Sequence, residues 1–298
     1  MKHIFQLVLI VLLLGCIPWS IYPFELLMHF RGQCAVLSGV AVLYYFARRE
    51  RLLLPAAAVF VYYVMELVPF LIPYATVPAA GVTLNVLAAN VSVSNSKSAA
   101  IVRLAESVDA DIVALSEVRP EFLEELEQLK QRYPHVLPSP ATLPSGPVFF
   151  SKHPIVRGSF DSATNHLQAV LDVRGVEVSV FYVTSPPPIS PEQLARRDYN
   201  LDVVAKTVAT LAMPVVVLGD FNAGPWSPVF ERFAETADLL DARLGRGLYP
   251  TFPAFLSSLG IPIDHCLAGK GLRPTGFRSI TVPGSDHRGV VCDVVRVN

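Results

Sequence analysis

Apolar and polar positions along this 298-residue chain fall into two regimes. Up to residue 72 the apolar positions form three long blocks: Ile4–Trp19, broken by Gln6 and running on weakly to Phe24; Gly32–Ala47, with Gln33 and Ser38; and Leu52–Ile72, with one acid, Glu66. A helix crossing the hydrocarbon core of a bilayer needs about 20 apolar residues at ~1.5 Å rise. The first and third blocks meet that length. The second is shorter, and reads either as a span that recruits Leu26–Phe30 with Arg31 snorkelling, or as a re-entrant or buried helix. Three transmembrane helices within residues 1–80 is the reading adopted.

Beyond the exit at Pro69, Pro73 and Pro78 the period shortens. Thr83–Ala89 is a β-rich run ending at Asn90, and Ser98–Val108 sets Ile101, Leu104, Ala105 and Val108 at helical spacing. Asp111–Leu115 is a short apolar run closed by Ser116 and Glu117; Glu121–Tyr133 reads as a second helix with Phe122, Leu126 and Leu129 on one face. Val148–Phe150, Ala169–Val173 and Val176–Val183 read as strands, the last stopped by Pro186–Pro188, which cannot continue a ladder. Glu192–Leu211 reads as a helix, Pro214–Leu218 as a buried strand, and Ile263–Leu267 and Gly289–Val297 as the final strands. Strands and helices interleave without a linker or repeat, which predicts one α/β (α+β) domain over 81–298 with two sheets covered by helices.

Composition sharpens the division. The chain is 52% hydrophobic and 16% charged, against about 25% charged in an ordinary soluble domain. The imbalance is local: residues 1–80 hold three acids and five bases, and 81–298 hold 22 acids and 19 bases. A single soluble domain, a disordered chain and a disulfide-dense scaffold are excluded. Lys2 and the Arg48, Arg49, Arg51 cluster, against Arg31 alone, place the N-terminus and the 48–51 loop in the cytoplasm. Three crossings of the cell (inner) membrane then deliver the domain to the periplasmic or extracellular side. Trp19, Tyr22, Tyr44, Tyr45, Tyr62, Tyr63 and Tyr74 suit interfacial belts, and the two tyrosine pairs equally suit packing between helices. Lys2 with Ile4–Leu14 matches a signal peptide in charge and length, but no small-x-small site follows. Leu13–Cys16 is similar to a lipoprotein cleavage site with an atypical Leu14, so the first block is read as retained. Cys16 and Cys34 read as small packing residues; Cys266 and Cys292 read as buried free thiols, with a bridge as the alternative.

Polar residues punctuate the apolar runs of the domain. Asn90, Glu117, Ser185, Asp220-Phe221-Asn222, Asp264 and Asp286-His287 each stand at the end of a run or just past it. Any one of them alone is explained by turn chemistry. Together they offer carboxylates, amides and an imidazole where α/β architectures assemble their sites. Carboxylate and amide oxygens are hard ligands suited to Mg²⁺ or Mn²⁺, and an Asp–His pair is a proton-transfer unit.

The ordered set LAAN (87–90), SEV (116–118), LGDFN (218–222), IDH (263–265) and GSDH (284–287) resembles the endonuclease/exonuclease/phosphatase superfamily, typified by deoxyribonuclease I, and in particular its membrane-anchored bacterial type. The resemblance implies a four-layer sandwich of two mixed sheets between helices, and divalent-metal hydrolysis (Mg²⁺ or Mn²⁺) of phosphodiesters or phosphomonoesters by water attack. It implies that Glu117, Asn90 and Asp286 hold the metal, that Asp220 orients or deprotonates water, that Asn222 donates to a phosphoryl oxygen, and that Asp264 orients His287. One departure stands out: nuclease and sphingomyelinase branches carry a His where Ser185 stands, and a hydroxyl is no general acid near neutral pH. A catalytically impaired phosphate-binding or scaffolding member of the same fold is the alternative that follows. His166 reads as a core or surface histidine, with a spatial substitute for the missing imidazole as the other reading. The domain's net negative charge disfavours nucleic acid. The apolar stretch Gly247–Leu259 fits a phospholipid substrate or covers a sheet edge.

Overall fold

The computed structural model describes residues 2–73 and 83–297; Tyr74, Pro78 and the boundary drawn between 80 and 81 lie outside the described residues. In the N-terminal part, helices α1 (Lys2–Gly15), α2 (Arg31–Ala47) and α3 (Leu53–Leu71) pack together around Leu12, Tyr45, Val59 and Tyr63. Among the described residues two segments, not the three expected, are long and apolar enough to cross a membrane: Phe24–Ala47, which opens with a 3₁₀ turn, and Leu53–Leu71. Helix α1 stops at 14 residues, about 21 Å of rise. Pro18 lacks a donor and forces residue 17 out of the helical region, so apolar character continues where the helix cannot.

Lys2 pairs with Glu50 at 3.7 Å, so the start of α1 and the basic loop share one end of the helices. At the other end Arg31 donates to the Gly15 carbonyl and lies 3.9 Å from Glu66. The globular domain docks at that same end: Trp226 donates its indole N–H to the Glu66 carbonyl (3.1 Å) and Gly245 its backbone N–H to Pro69 (2.9 Å). Tyr45 and Tyr63 are fully buried between helices, while Val36, Leu43, Phe46, Leu54, Val61 and Met65 face outward.

The domain is built on two six-stranded sheets. The first runs in the order β11 (Leu272–Thr281), β12 (Arg288–Arg296), β1 (Thr83–Asn90), β2 (Ile112–Val118), β4 (Gly146–Ser151), β3 (His135–Pro138). The second runs β5 (Ile155–Asp161), β6 (His166–Val173), β7 (Val176–Thr184), β8 (Val215–Asp220), β10 (Asp264–Gly269), β9 (Leu239–Asp241). Only the β1–β2 and β7–β8 neighbours are parallel, so both sheets are mixed. Side chains alternate across each strand: Leu84, Val86 and Ala88 of β1 point between the sheets, where they meet Val180, Val216, Leu218 and Cys266. Leu87 and Ala89 point outward to α4 (Ser98–Val108) and α5 (Pro120–Glu125). Phe181, Val215 and Val217 pack outward on α6 (Pro191–Ala209) and α7 (Pro228–Ala237). The expected helix–sheet–sheet–helix arrangement is present. Cys266 and Cys292 are free thiols buried between the sheets.

Candidate active site

The ends of β1, β2 and β8 and the starts of β10 and β12 open at one edge of the sandwich, which is why residues from Asn90 to His287 meet there. Glu117 stands in a bulge between Leu115 and Val118 at φ +60°, and the extra residue turns its side chain out of the ladder toward the site. Gly219, at φ +131°, lies so close to β7 that a Cβ there would sit 2.0 Å from the Val183 carbonyl oxygen. Only glycine brings the β8 end this near, and Asp220 follows directly.

Asn90 is the hinge of the arrangement. Its amide donates to Glu117 (2.8 Å) and Asp220 (3.3 Å), while its own oxygen accepts from the Ser92 backbone N–H. Glu117 accepts a second bond from Val93 N–H. Asp220 and Asp264 are register partners on β8 and β10, so their side chains face the same space. His287 lies between them, Nδ1 at 3.0 Å from Asp264 and Nε2 at 3.8 Å from Asp220. Burial works against the charge on His287, but Asp264 and Asp220 outweigh it and hold the ring protonated well above its ordinary range. Burial and the facing Asp264 push the Asp220 carboxyl up. Asn222 closes an Asx turn onto Asp220, and its amide donates to the Ser185 carbonyl at 2.9 Å, leaving its second N–H for a ligand.

The structure brings together Asn90, Glu117, Asp220, Asn222, Asp264 and His287. Asp286 is different: it is exposed, and its contact with the site's surroundings is its backbone carbonyl accepting from Ala254. Among the described residues, Asp220, Asp264 and His287 bring carboxylate and imidazole ligand atoms within 4.8 Å of one another. Ser185 follows β7 with its hydroxyl buried and unpartnered. His166 is a core histidine: it bonds Thr164 (2.6 Å) and stacks on Phe181, making none of the site's contacts. Thr251 accepts from the Ile263 and Asp264 backbone N–H groups, Phe252 packs its ring 4.8 Å from His287, and Ser285 ties the His287 backbone to Asn90. None of these three carries a strand-end signal.

Glu117, Asp220 and Asp264 set three carboxylates against one imidazole, and among the described residues no Lys or Arg pairs with any of them. The donors are oxygens of carboxylate and amide, the set a hard divalent ion prefers, and the residues fit Mg²⁺ or Mn²⁺.

A family model described as the endonuclease/exonuclease/phosphatase family matches residues 82–287. The fold is similar to that of humanized TDP2 of D. rerio carrying 14 mutations (TM-score 0.59, 15% identity, covering 71% of this chain and 98% of that one). It is similar too to an endonuclease/exonuclease/phosphatase from Beutenbergia cavernae DSM 12333 (0.59, 20%, 72% and 72%) and to one from Bacteroides vulgatus (0.60, 15%, 73% and 100%). At these identities the likeness is one of fold. No curated protein matches the chain.

Proposed function

The chain belongs to the endonuclease/exonuclease/phosphatase family, and on that premise we propose that it is a membrane-anchored, divalent-metal-dependent phosphoesterase. Members of the family are generally hydrolases acting on phosphodiester bonds and typically use divalent metals such as Mg²⁺. The observation that carries the reading is the buried Asp264–His287–Asp220 relay, tied through Asn90 to Glu117.

Glu117, with Asn90 beside it, would hold the metal, which when bound neutralises the phosphate and lowers the cost of charge in the transition state. Asp264 accepts the Nδ1 proton of His287 and so fixes which nitrogen faces the substrate. Nε2–H then points at the Asp220 side of the site, where it donates to a phosphoryl oxygen that gains charge. Asp220, held by Asn90 and the Asn222 backbone N–H, takes a proton from the attacking water. Water's oxygen bonds to phosphorus, the P–O ester bond breaks, and the leaving oxygen departs as the alcohol with a proton from solvent. Asn222 offers its free amide N–H to a second phosphoryl oxygen.

Membrane anchoring is supported by the outward-facing apolar residues of α2 and α3, which exceed what a water-soluble surface tolerates. The domain docks at the end of the helices opposite the Lys2–Glu50 pair and the arginine loop. With those bases in the cytoplasm, the site faces the periplasm or cell exterior. The test is turnover of a bis-nitrophenyl phosphate by the full chain in detergent, with Mg²⁺, Mn²⁺ or chelator. Turnover that needs metal and vanishes in Asp264→Ala is expected; metal-independent or absent turnover would overturn the proposal.

A further inference from the structure

A cavity of about 660 Å³ lies at the seam between the helices and the domain, with Val36, Gly39 and Phe60 of α2 and α3 on one side and Trp226, Leu248 and Leu259 of the domain on the other. Its size falls within the range of small-molecule sites, roughly 300–1,000 Å³. Gly39 keeps the wall thin, since a Cβ there would stand 3.2 Å from the Phe60 ring.

We infer that this cavity holds an acyl chain of a bilayer lipid whose phosphate ester reaches the Asp220–Asp264–His287 cluster, so that the substrate is a membrane lipid phosphate. For its phosphate end the inference rests on the phosphoesterase reading above; for its tail it does not.

Three observations name the occupant. The cavity is walled by the two segments long and apolar enough to cross a membrane. Their outward faces carry Val40, Leu43 and Phe46 of α2 and Leu54, Val61 and Met65 of α3, so what reaches the seam sideways is hydrocarbon rather than water. The domain's wall includes residues of the 250–262 loop, which displays Phe255, Leu256 and Leu259, 82%, 41% and 65% exposed. Apolar side chains held that far into solvent suit an interface that buries them. Gln33 of α2 fixes the loop there, its amide donating to the Leu259 and Gly260 carbonyls at 2.8 and 2.9 Å.

None of the reacting groups lines the cavity, but two stretches of chain lead from its wall to them. Pro262 lines it, and Asp264 is two residues further on, within about 7 Å along extended chain. Phe252, which pairs with Ile261 in the same loop, packs on His287. On the other side His29 lines the cavity and its Cα lies 3.4 Å from where a Cβ on Gly224 would be, two residues past Asn222. Polar side chains enter the lining at His29, Gln33 and Ser258, and the rest of it is apolar or glycine. A lipid phosphate has that same division between head and tail.

The experiment uses the full chain in nanodiscs, loaded with a non-hydrolysable phosphonate analogue of phosphatidic acid carrying a diazirine in its acyl chain, with Mn²⁺ present and a diacylglycerol bearing the same tail as a second probe. Photolabelled peptides are mapped by mass spectrometry in the wild type and in Val36→Trp and Leu259→Trp, whose positions are exposed enough to accept the ring without unfolding, and circular dichroism verifies it. Expected is labelling of Trp226 and of the 248–262 loop by the phosphonate analogue, at least fivefold above diacylglycerol and reduced at least fivefold in both variants. Label confined to outward residues such as Leu43 and Phe46, or domain label that neither variant changes, overturns the acyl site. Equal label from both probes overturns the lipid phosphate as substrate. Expected labelling without turnover of any ester leaves the acyl site standing and removes the phosphoesterase reading instead.

Discussion

Glu25 and Arg197, separated by 172 residues, form an ion pair at 2.9 Å with 1% and 0% of each exposed. Glu25 also accepts from Ser227 and lies 3.4 Å from His29; Arg197 also pairs with Asp198 at 2.7 Å and donates to the Asn222 carbonyl at 3.0 Å. The pair thus joins the turn ahead of α2 to the loop that carries Asn222, whose φ of +49° needs support from outside. Breaking a buried pair by removing one partner costs about 3–5 kcal/mol. Glu25→Ala leaves Arg197 its Asp198 contact and falls at the low end, about 3 kcal/mol. Arg197→Met strands Glu25 and removes the donor to Asn222, giving about 4–5 kcal/mol. For a unit of some 200 residues 1 kcal/mol moves Tm by about 2–4 °C, so the drops are about 6–12 °C and 8–20 °C. In the double variant Glu25→Leu/Arg197→Met most of the stability returns, since two apolar residues replace a paired charge, yet turnover stays low because Asn222 has still lost its donor. Thermal unfolding and kinetics of the full chain in detergent read both quantities. Shifts below 2 °C for the single variants, or a domain from residue 83 onward that melts and turns over like the full chain, would show that the N-terminal segment is no part of the catalytic unit.

Asp264→Asn leaves His287 without the carboxylate that fixes its ring, and turnover is expected to fall about 10²- to 10⁴-fold with the fold intact by circular dichroism. Glu117→Gln preserves shape and removes the anionic ligand, so Mn²⁺ affinity by calorimetry drops at least about tenfold; unchanged affinity moves the metal to Asp220 and Asp264 alone. A reporter active only outside the cytoplasm is expected to be silent when fused after Arg51 and active when fused at the C-terminus, and the reverse pattern inverts the topology.

The site was legible where chemistry and pattern coincide. Asn90, Glu117, Asp220 and Asp264 end or begin strands whose apolar runs are unmistakable, so position and residue type point the same way. Thr251 and Phe252 lie in a stretch with no period, and nothing local marks them as the groups that hold Asp264 and cover His287. Arg197 sits among the charged positions of α6 and reads as a solvated residue, because its partner Glu25 belongs to the N-terminal helical segment. β11 alternates half-buried polar residues and carries Pro274 and Gly276, so it offers no apolar run. The first apolar block misleads for the opposite reason: hydropathy continues through Pro18 although the backbone cannot stay helical there.

Ser185 bears on how the leaving group is protonated. Its backbone is fixed twice, N–H to the Asp220 carbonyl at 3.0 Å and C=O from the Asn222 amide at 2.9 Å, so residue 185 is held beside both. Its hydroxyl is buried with no partner, and a hydroxyl has no accessible pKa with which to act as an acid. A general acid contributes about 10²- to 10⁴-fold, and a site without one favours leaving groups that depart unprotonated. The wild type is therefore expected to hydrolyse nitrophenyl esters well and alkyl phosphodiesters poorly. Ser185→His is expected to narrow that gap by at least about tenfold, and the gain grows as pH falls through the imidazole range near 6.5. The larger ring costs about 1–3 kcal/mol of packing, so Ser185→Asn serves as the control of similar polarity without an acid. A gain in Asn as large as in His would assign it to reshaping rather than to proton transfer. Equal wild-type rates on both ester classes would mean that a donor is already present. His166 is not that donor, because Thr164 and Phe181 hold it in the core; the proton would then come from His287 Nε2, the remaining imidazole at the strand-end edge.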